Sequence, residues 1–225
     1  MYNIECNLEQ GGISRFMGER KKQALERFNR DNIITAAKEL FETHGVDHTT
    51  MDDIARQADY SKSTIYVYFK SKEEIYNSIV HDYMDMLTGE LAIAITQEGS
   101  FSESYRRVCD CLVRFDERHP AYYAGLLGEA QMTGSRKKQD EAARGTIAPE
   151  LEQLLVKLID KGKKEKTLST KVKSNQLAFY MWSGISGIIR LADRKKAEIV
   201  TQYQVTKDVY LSNAFSMFYE SLIRG

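Results

Sequence analysis

The chain has 225 residues, 42% of them hydrophobic, with 32 basic and 32 acidic side chains and a formal net charge of zero. That length makes one large domain or two small ones, and the charge balance does not by itself advertise a nucleic-acid partner. Only two prolines are present, which favours long helices over a sandwich or barrel, and no window reaches the ~18 apolar residues of a membrane span.

Residues 1–24 are expected to form a flexible N-terminal tail, since Met1 to Glu19 lacks periodicity and a basic patch, Arg20-Lys21-Lys22, follows. No apolar signal-peptide core is visible, so a cytoplasmic location is expected. Ile33, Ala37, Leu40 and Phe41 then recur at helical spacing, and Gly45 ends that helix as a C′ glycine. Thr50 with Asp53 is a start signal for a short helix, MDDIARQA. Asp59 and Tyr60 break it, and Ser61 caps a second short helix, KSTIYVYF. Ser71 and Glu74 signal a long third start, continued by Ile75, Ile79, Tyr83, Met86 and Leu87.

Thr50 to Phe69 therefore reads as helix, turn, helix behind an earlier helix. The second short helix has two tasks. Ile65 and Phe69, four apart, anchor it to a core. Lys62, Ser63, Thr64, Tyr66 and Tyr68 occupy its other faces and its N-terminal end, within reach of phosphates and base edges in a major groove. Tyr66 and Tyr68, two apart, do not share a face. Lys72 opens the next helix, where a lysine and backbone N–H groups favour phosphate. Total charge does not make this face, because Met1 to Tyr76 carries 11 basic and 13 acidic residues. Placement must make it instead.

Thr49-Thr50-Met51-Asp52-Asp53-Ile54-Ala55, followed by the run from Ser61 to Glu74, resembles the DNA-binding signature of TetR-family transcriptional regulators; the strong part covers about Asn29 to Tyr83. The resemblance implies an all-α homodimer. Its N-terminal three-helix helix-turn-helix domain, 25–76, binds double-stranded operator DNA, and a C-terminal domain, 77–225, binds an effector and dimerises. It makes Thr50, Lys62, Ser63, Thr64, Tyr66, Tyr68 and Lys72 positions that commonly touch DNA, and the cap Ser61 joins them in the expected DNA-contacting set. One departure is the turn, where the family's A-G-V-S is Ala58-Asp59-Tyr60-Ser61; Asp59 is expected to take the left-handed conformation a glycine would take.

Beyond the signature, Phe101 to Arg118 reads as one helix ended near Pro120, Pro149 opens another, and 161–173 is a lysine-rich connection. Val172–Ala192 and Val205–Ile223 are long apolar helices. Ser183, Gly184, Ser186 and Gly187 permit close contact there, and a dimer interface is expected on these two helices. Phe115, Tyr122, Tyr123, Met132, Phe179 and Trp182 are nominated as the lining of a pocket for an apolar or aromatic effector, cations included. Each taken singly also reads as plain core.

The three cysteines, Cys6, Cys109 and Cys111, and the four histidines have no metal-site spacing, and no cofactor is called for. The expected function is a DNA-binding transcriptional regulator, a repressor released from its operator by a small molecule. A regulator without an effector, controlled by a protein partner or by abundance, is the alternative. An enzyme is the remote one, since no nucleophile elbow, phosphate loop or paired catalytic carboxylates occur.

Overall fold

The computed structural model describes residues 5–127 and 148–224, with side chains from residue 19 onward. Among the described residues every regular element is a helix. They are α1 (Glu5–His44), α2 (Met51–Gln57), α3 (Lys62–Tyr68), α4 (Lys72–Thr96), α5 (Phe101–Arg118), α6 (Pro120–Leu126), α7 (Pro149–Lys164), α8 (Ser174–Arg194), α9 (Lys196–Tyr203) and α10 (Lys207–Arg224). No helix among them is long and apolar enough to cross a membrane. The described residues fall into two compact units, one through Ile79 and one from Val80 onward; α4 belongs to both.

In the first unit, Ile33, Ala36, Ala37 and Phe41 of α1, Ile54 and Ala55 of α2, and Ile65 and Phe69 bury against Ile75, Tyr76 and Ile79. The Phe41 and Tyr76 rings meet edge to face at 6.0 Å, a geometry in which each ring's positive edge meets a negative face. Gly45 ends α1 with φ 82, and its N–H returns to the Phe41 carbonyl at 3.1 Å. The buried Thr49 hydroxyl then donates to Gly45 O at 2.8 Å and closes the loop. The helix reaches back to Glu5, so it begins well before the start expected after residue 24. The missing apolar stripe in those residues had argued against helix there.

In the second unit α5 is the most two-faced helix; Phe101, Tyr105, Val108, Cys109, Leu112 and Phe115 line its buried side. Its expected bounds are those observed, and Pro149 opens α7 as expected. Helix α9 has no counterpart in the sequence reading. Helix α8 packs against α7 and α10. A Cβ at Gly184 would lie 2.4 Å from the Phe218 ring, so the glycine permits the close approach of α10. Gly187 has nothing within 4 Å of such a Cβ. The four small residues of α8 therefore divide: Gly184 and buried Ser186 serve the chain's own packing, and Ser183 and Gly187 face outward.

A charge cluster centred on the buried Asp116 ties α5, α8 and α10 together. Asp116 is 2% exposed and pairs with Arg190 at 3.3 Å. Asp193 meets Arg190 at 4.0 Å and Lys207 at 2.5 Å, and Lys207 reaches Glu117 at 3.6 Å. Burial pushes the Asp116 carboxyl up to about 7, helped by its hydrogen bond with Asp193 and opposed by Arg190 and Lys207. Asp193 is held below the usual carboxylate range, its own burial being outweighed by its bonds to Asp116 and Lys207. The two directions fit one shared proton, kept on the deeper carboxyl.

Candidate nucleic-acid interface

The turn that presents α3 is assembled from short-range bonds. Thr50 Oγ1 accepts from Asp53 N at 3.2 Å while Asp53 Oδ2 accepts from Thr50 N at 3.0 Å, a complete capping box. Those bonds from Thr50 hold the Asp53 carboxyl below its ordinary value. Helix α2 ends in a Schellman motif, with Tyr60 N on Ala55 O at 2.9 Å and Asp59 N on Arg56 O at 3.3 Å. Asp59 sits at φ 56, the left-handed conformation expected of it in place of glycine. Ser61 then caps α3, its Oγ accepting from Thr64 N at 3.1 Å.

Helix α3 is divided lengthwise. Ile65 on the helix and Phe69, expected as its last residue but found as its extended C-cap, are 0% exposed, and the Arg30 guanidinium lies 4.2 Å over the Phe69 ring, a cation–π contact that pins the end of α3 to α1. On the opposite side Tyr66 is 46% and Val67 77% exposed, with Lys62 and Ser63 beside them. Val67 is absent from the expected set. Its signal was available, since it lies four residues after Ser63 and hence on the same helical stripe.

Thr50 is exposed and already serves as a cap. Ser61 Oγ lies 2.8 Å from Ser63 Oγ and 2.7 Å from Thr64 Oγ1, a knot of hydroxyls at the start of α3. Lys62 pairs with Asp52 at 2.8 Å, which raises its pKa; an exposed pair of this kind is readily exchanged for a phosphate. Tyr68 is half-buried, and its Oη accepts from Asn29 at 2.8 Å. Lys72 Nζ donates to Val46 O at 2.6 Å, which fixes a positive charge beside the loop leading into α2. Ser71 Oγ caps Glu74 N at 3.3 Å, and Glu74 reaches back to Lys70 N at 2.7 Å, one residue beyond the cap itself.

The sequence profile of bacterial regulatory proteins of the tetR family matches residues 33–79, from the core of α1 into α4. Residues 33–79 belong to the tetR family. The chain's relatives include the biofilm operon icaADBC negative transcriptional regulator IcaR of Staphylococcus epidermidis, 28% identical over 109 residues, or 48% of this chain and 59% of that protein. IcaR of Staphylococcus aureus is 31% identical over 98 residues, 43% of this chain and 53% of its own length. The matches thus span between about half and three fifths of these curated relatives. In fold the chain is similar to a TetR/AcrR-family regulator from Thermobifida fusca, with a TM-score of 0.63, 21% identity and 84% and 96% of the two chains covered. It is also similar to the fatty acid degradation regulator FadR of Bacillus halodurans, with a TM-score of 0.66, 14% identity and 85% and 94% covered. At such identities the likeness is one of fold.

In the second unit, Phe115, Tyr122 and Tyr123 are buried together. Tyr83 stacks on Tyr122 at 4.2 Å and meets Phe115 edge to face at 6.3 Å. Tyr123 Oη donates to Ser186 Oγ at 3.0 Å. Trp182 is 6% exposed, whereas Phe179 is 49% exposed and does not join the buried rings. Met132 lies outside the described residues.

Proposed function

We propose that the chain is a DNA-binding transcriptional regulator that reads a short pseudo-palindromic operator through α3 and is released from it by a small-molecule effector. The observation that carries this reading is the division of α3: Ile65 and the C-cap Phe69 wholly buried, and Ser63, Tyr66 and Val67 turned outward with Lys62. A seven-residue helix with so exposed a tyrosine and valine gains nothing for the fold from them. Thr50, Ser61, Thr64, Tyr68 and Lys72 complete the DNA-facing set. Negative regulation is the sign stated for the IcaR relatives, and repression is the sign proposed here. This role makes the chain a cytoplasmic regulator rather than an enzyme.

The proposed active form is a homodimer through α8 and α10. Tyr180, Ser183, Gly187 and Leu191 lie along one exposed stripe of α8, and Val209 and Met217 are exposed on α10. Two copies are needed to place two recognition helices ~34–36 Å apart on one face of a duplex. The proposed effector is apolar or aromatic and is met by the rings around Phe115, Tyr122, Tyr123 and Trp182. Helix α4 passes from the first unit into the second without a break. An effector with different affinity for two settings of α4 shifts the DNA-binding equilibrium, and one with equal affinity does not.

Selection of bound sequences from a random duplex pool tests the reading. A pseudo-palindromic motif is the expected outcome; a pool that stays random contradicts it. On the selected duplex, Lys72→Ala should weaken binding and lower the salt slope by about one. Unchanged affinity and slope would remove Lys72 from the interface.

A further inference from the structure

Two tyrosines of the first unit meet on one amide. Tyr60, in the turn before α3, donates its hydroxyl proton to Asn29 Oδ1 at 2.8 Å. Asn29 Nδ2 donates in turn to Tyr68 Oη at 2.8 Å. Asn32 Nδ2 approaches Tyr60 Oη at 3.4 Å. That approach fills an acceptor position on Tyr60 and leaves the Tyr60 proton for Asn29. The amide of Asn29 is thereby oriented, oxygen toward Tyr60 and nitrogen toward Tyr68. Tyr68 Oη is then an acceptor toward the protein, and its own proton meets no acceptor among the described residues. Bonds aligned donor to acceptor polarise one another, so this terminal O–H is a stronger donor than an isolated phenol. The tyrosine is fixed at its backbone as well: Arg30 Nη1 donates to Tyr68 O at 3.2 Å. Tyr68 is half-buried, on the last turn of α3, so its hydroxyl edge can be reached from outside.

We infer that Asn29 is a positioning residue for DNA binding: the relay Tyr60 to Asn29 to Tyr68 holds the Tyr68 hydroxyl with its proton offered to a phosphate oxygen of the duplex. The inference rests on the reading that α3 faces DNA. The chemistry separates this contact from a lysine contact. A neutral donor displaces no condensed cation, so it adds affinity without adding to the salt slope.

The test uses the full chain and one duplex drawn from the random pool by that chain. Tyr68→Phe should bind roughly tenfold more weakly, as the loss of a hydrogen bond to a charged acceptor implies, with the slope of log affinity against log salt unchanged. Asn29→Asp keeps both tethers but, as an acceptor only, draws the Tyr68 proton inward. It should weaken binding at least as much in the parent, and several-fold less when Tyr68 is already Phe; that second background measures the effect of the added charge alone. Should Asn29→Asp not fold, Tyr60→Phe breaks the relay upstream. Its loss, roughly two- to threefold on the cooperative share of one bond, should vanish in the Tyr68→Phe background. Tyr68→Phe binding as tightly as the parent, or either relay variant costing the same factor in both backgrounds, overturns the inference and leaves a structural tether only. Failure of the parent to bind any duplex overturns the reading beneath it instead.

Discussion

In the first unit the caps that open α2 and α3 close over three residues, Thr50 with Asp53 and Ser61 with Thr64, although Asn29 and Lys72 add bonds over 39 and 26 residues. In the second unit polar bonds close over 63 residues between Tyr123 and Ser186, 74 between Asp116 and Arg190, and 110 between Tyr105 and Phe215. The first kind of structure is written in neighbouring letters and presents a defined outer face. The second is assembled only when distant helices pack, and its interior depends on all of them at once. The candidate interface thus takes its helix caps from local sequence, while the part proposed to meet the effector is set by global packing.

The largest expected effect breaks the anchoring half of α3. Phe69→Ala should cost about 3–5 kcal/mol, the range for removing a fully buried phenylalanine, because the ring is 0% exposed and carries Arg30 above it. Urea unfolding followed by circular dichroism reads this, and a loss under about 1 kcal/mol would contradict the anchoring role. Next comes a contrast within α8. Gly184→Ala forces a methyl into the Phe218 ring and should cost about 1–3 kcal/mol. Gly187→Ala meets nothing and should be neutral or stabilise by up to about 1 kcal/mol. Equal effects at the two positions would show that α10 does not pack there.

The buried carboxyl gives a pH-dependent version of the same comparison. Asp116 holds its proton up to about 7 in the folded chain, because burial raises its pKa, while an unfolded aspartate loses its proton near 4. The folded state therefore binds more protons between these values, and stability should fall as pH rises through that window, by at most about 1.4 kcal/mol per pH unit. The facing groups are Glu117 on α5, Tyr123 on α6, Arg190 and Asp193 on α8, and Lys207 on α10. Asp116→Asn keeps a donor for Asp193 and has no proton to lose, so its unfolding free energy should be flat across the window. The smallest effect is local: Thr50→Ala removes the cap of α2 and should cost about 0.5–2 kcal/mol, measured in the same urea titration.

The fold was legible in the sequence where caps and periods are local. Gly45, the Thr50–Asp53 box, the left-handed Asp59 and the Ser61 cap are each signalled within four residues of the backbone they shape. The outward face of α3 was legible too, apart from Val67, which its apolar nature disguised as core. What sits opposite that face was not. Asn29 and Arg30 reach residues 31 to 39 positions away, and no spacing rule links an asparagine on one helix to a tyrosine on another. The second unit shows the same limit: Phe179 and Trp182, three apart on α8, look alike as candidate pocket residues, yet only packing turns one outward and the other in.

The most direct measurement pairs stability with affinity for Tyr66→Ala. Tyr66 is half exposed on the outer face of α3, and no hydrogen bond to its side chain is seen among the described residues. Its loss should leave the urea midpoint close to that of the parent, with a stability change within about 0.5 kcal/mol, and weaken binding to the selected duplex by roughly tenfold or more. Unchanged affinity, or a loss of affinity matched by a loss of fold, would contradict the division of α3 into an anchoring face and a reading face.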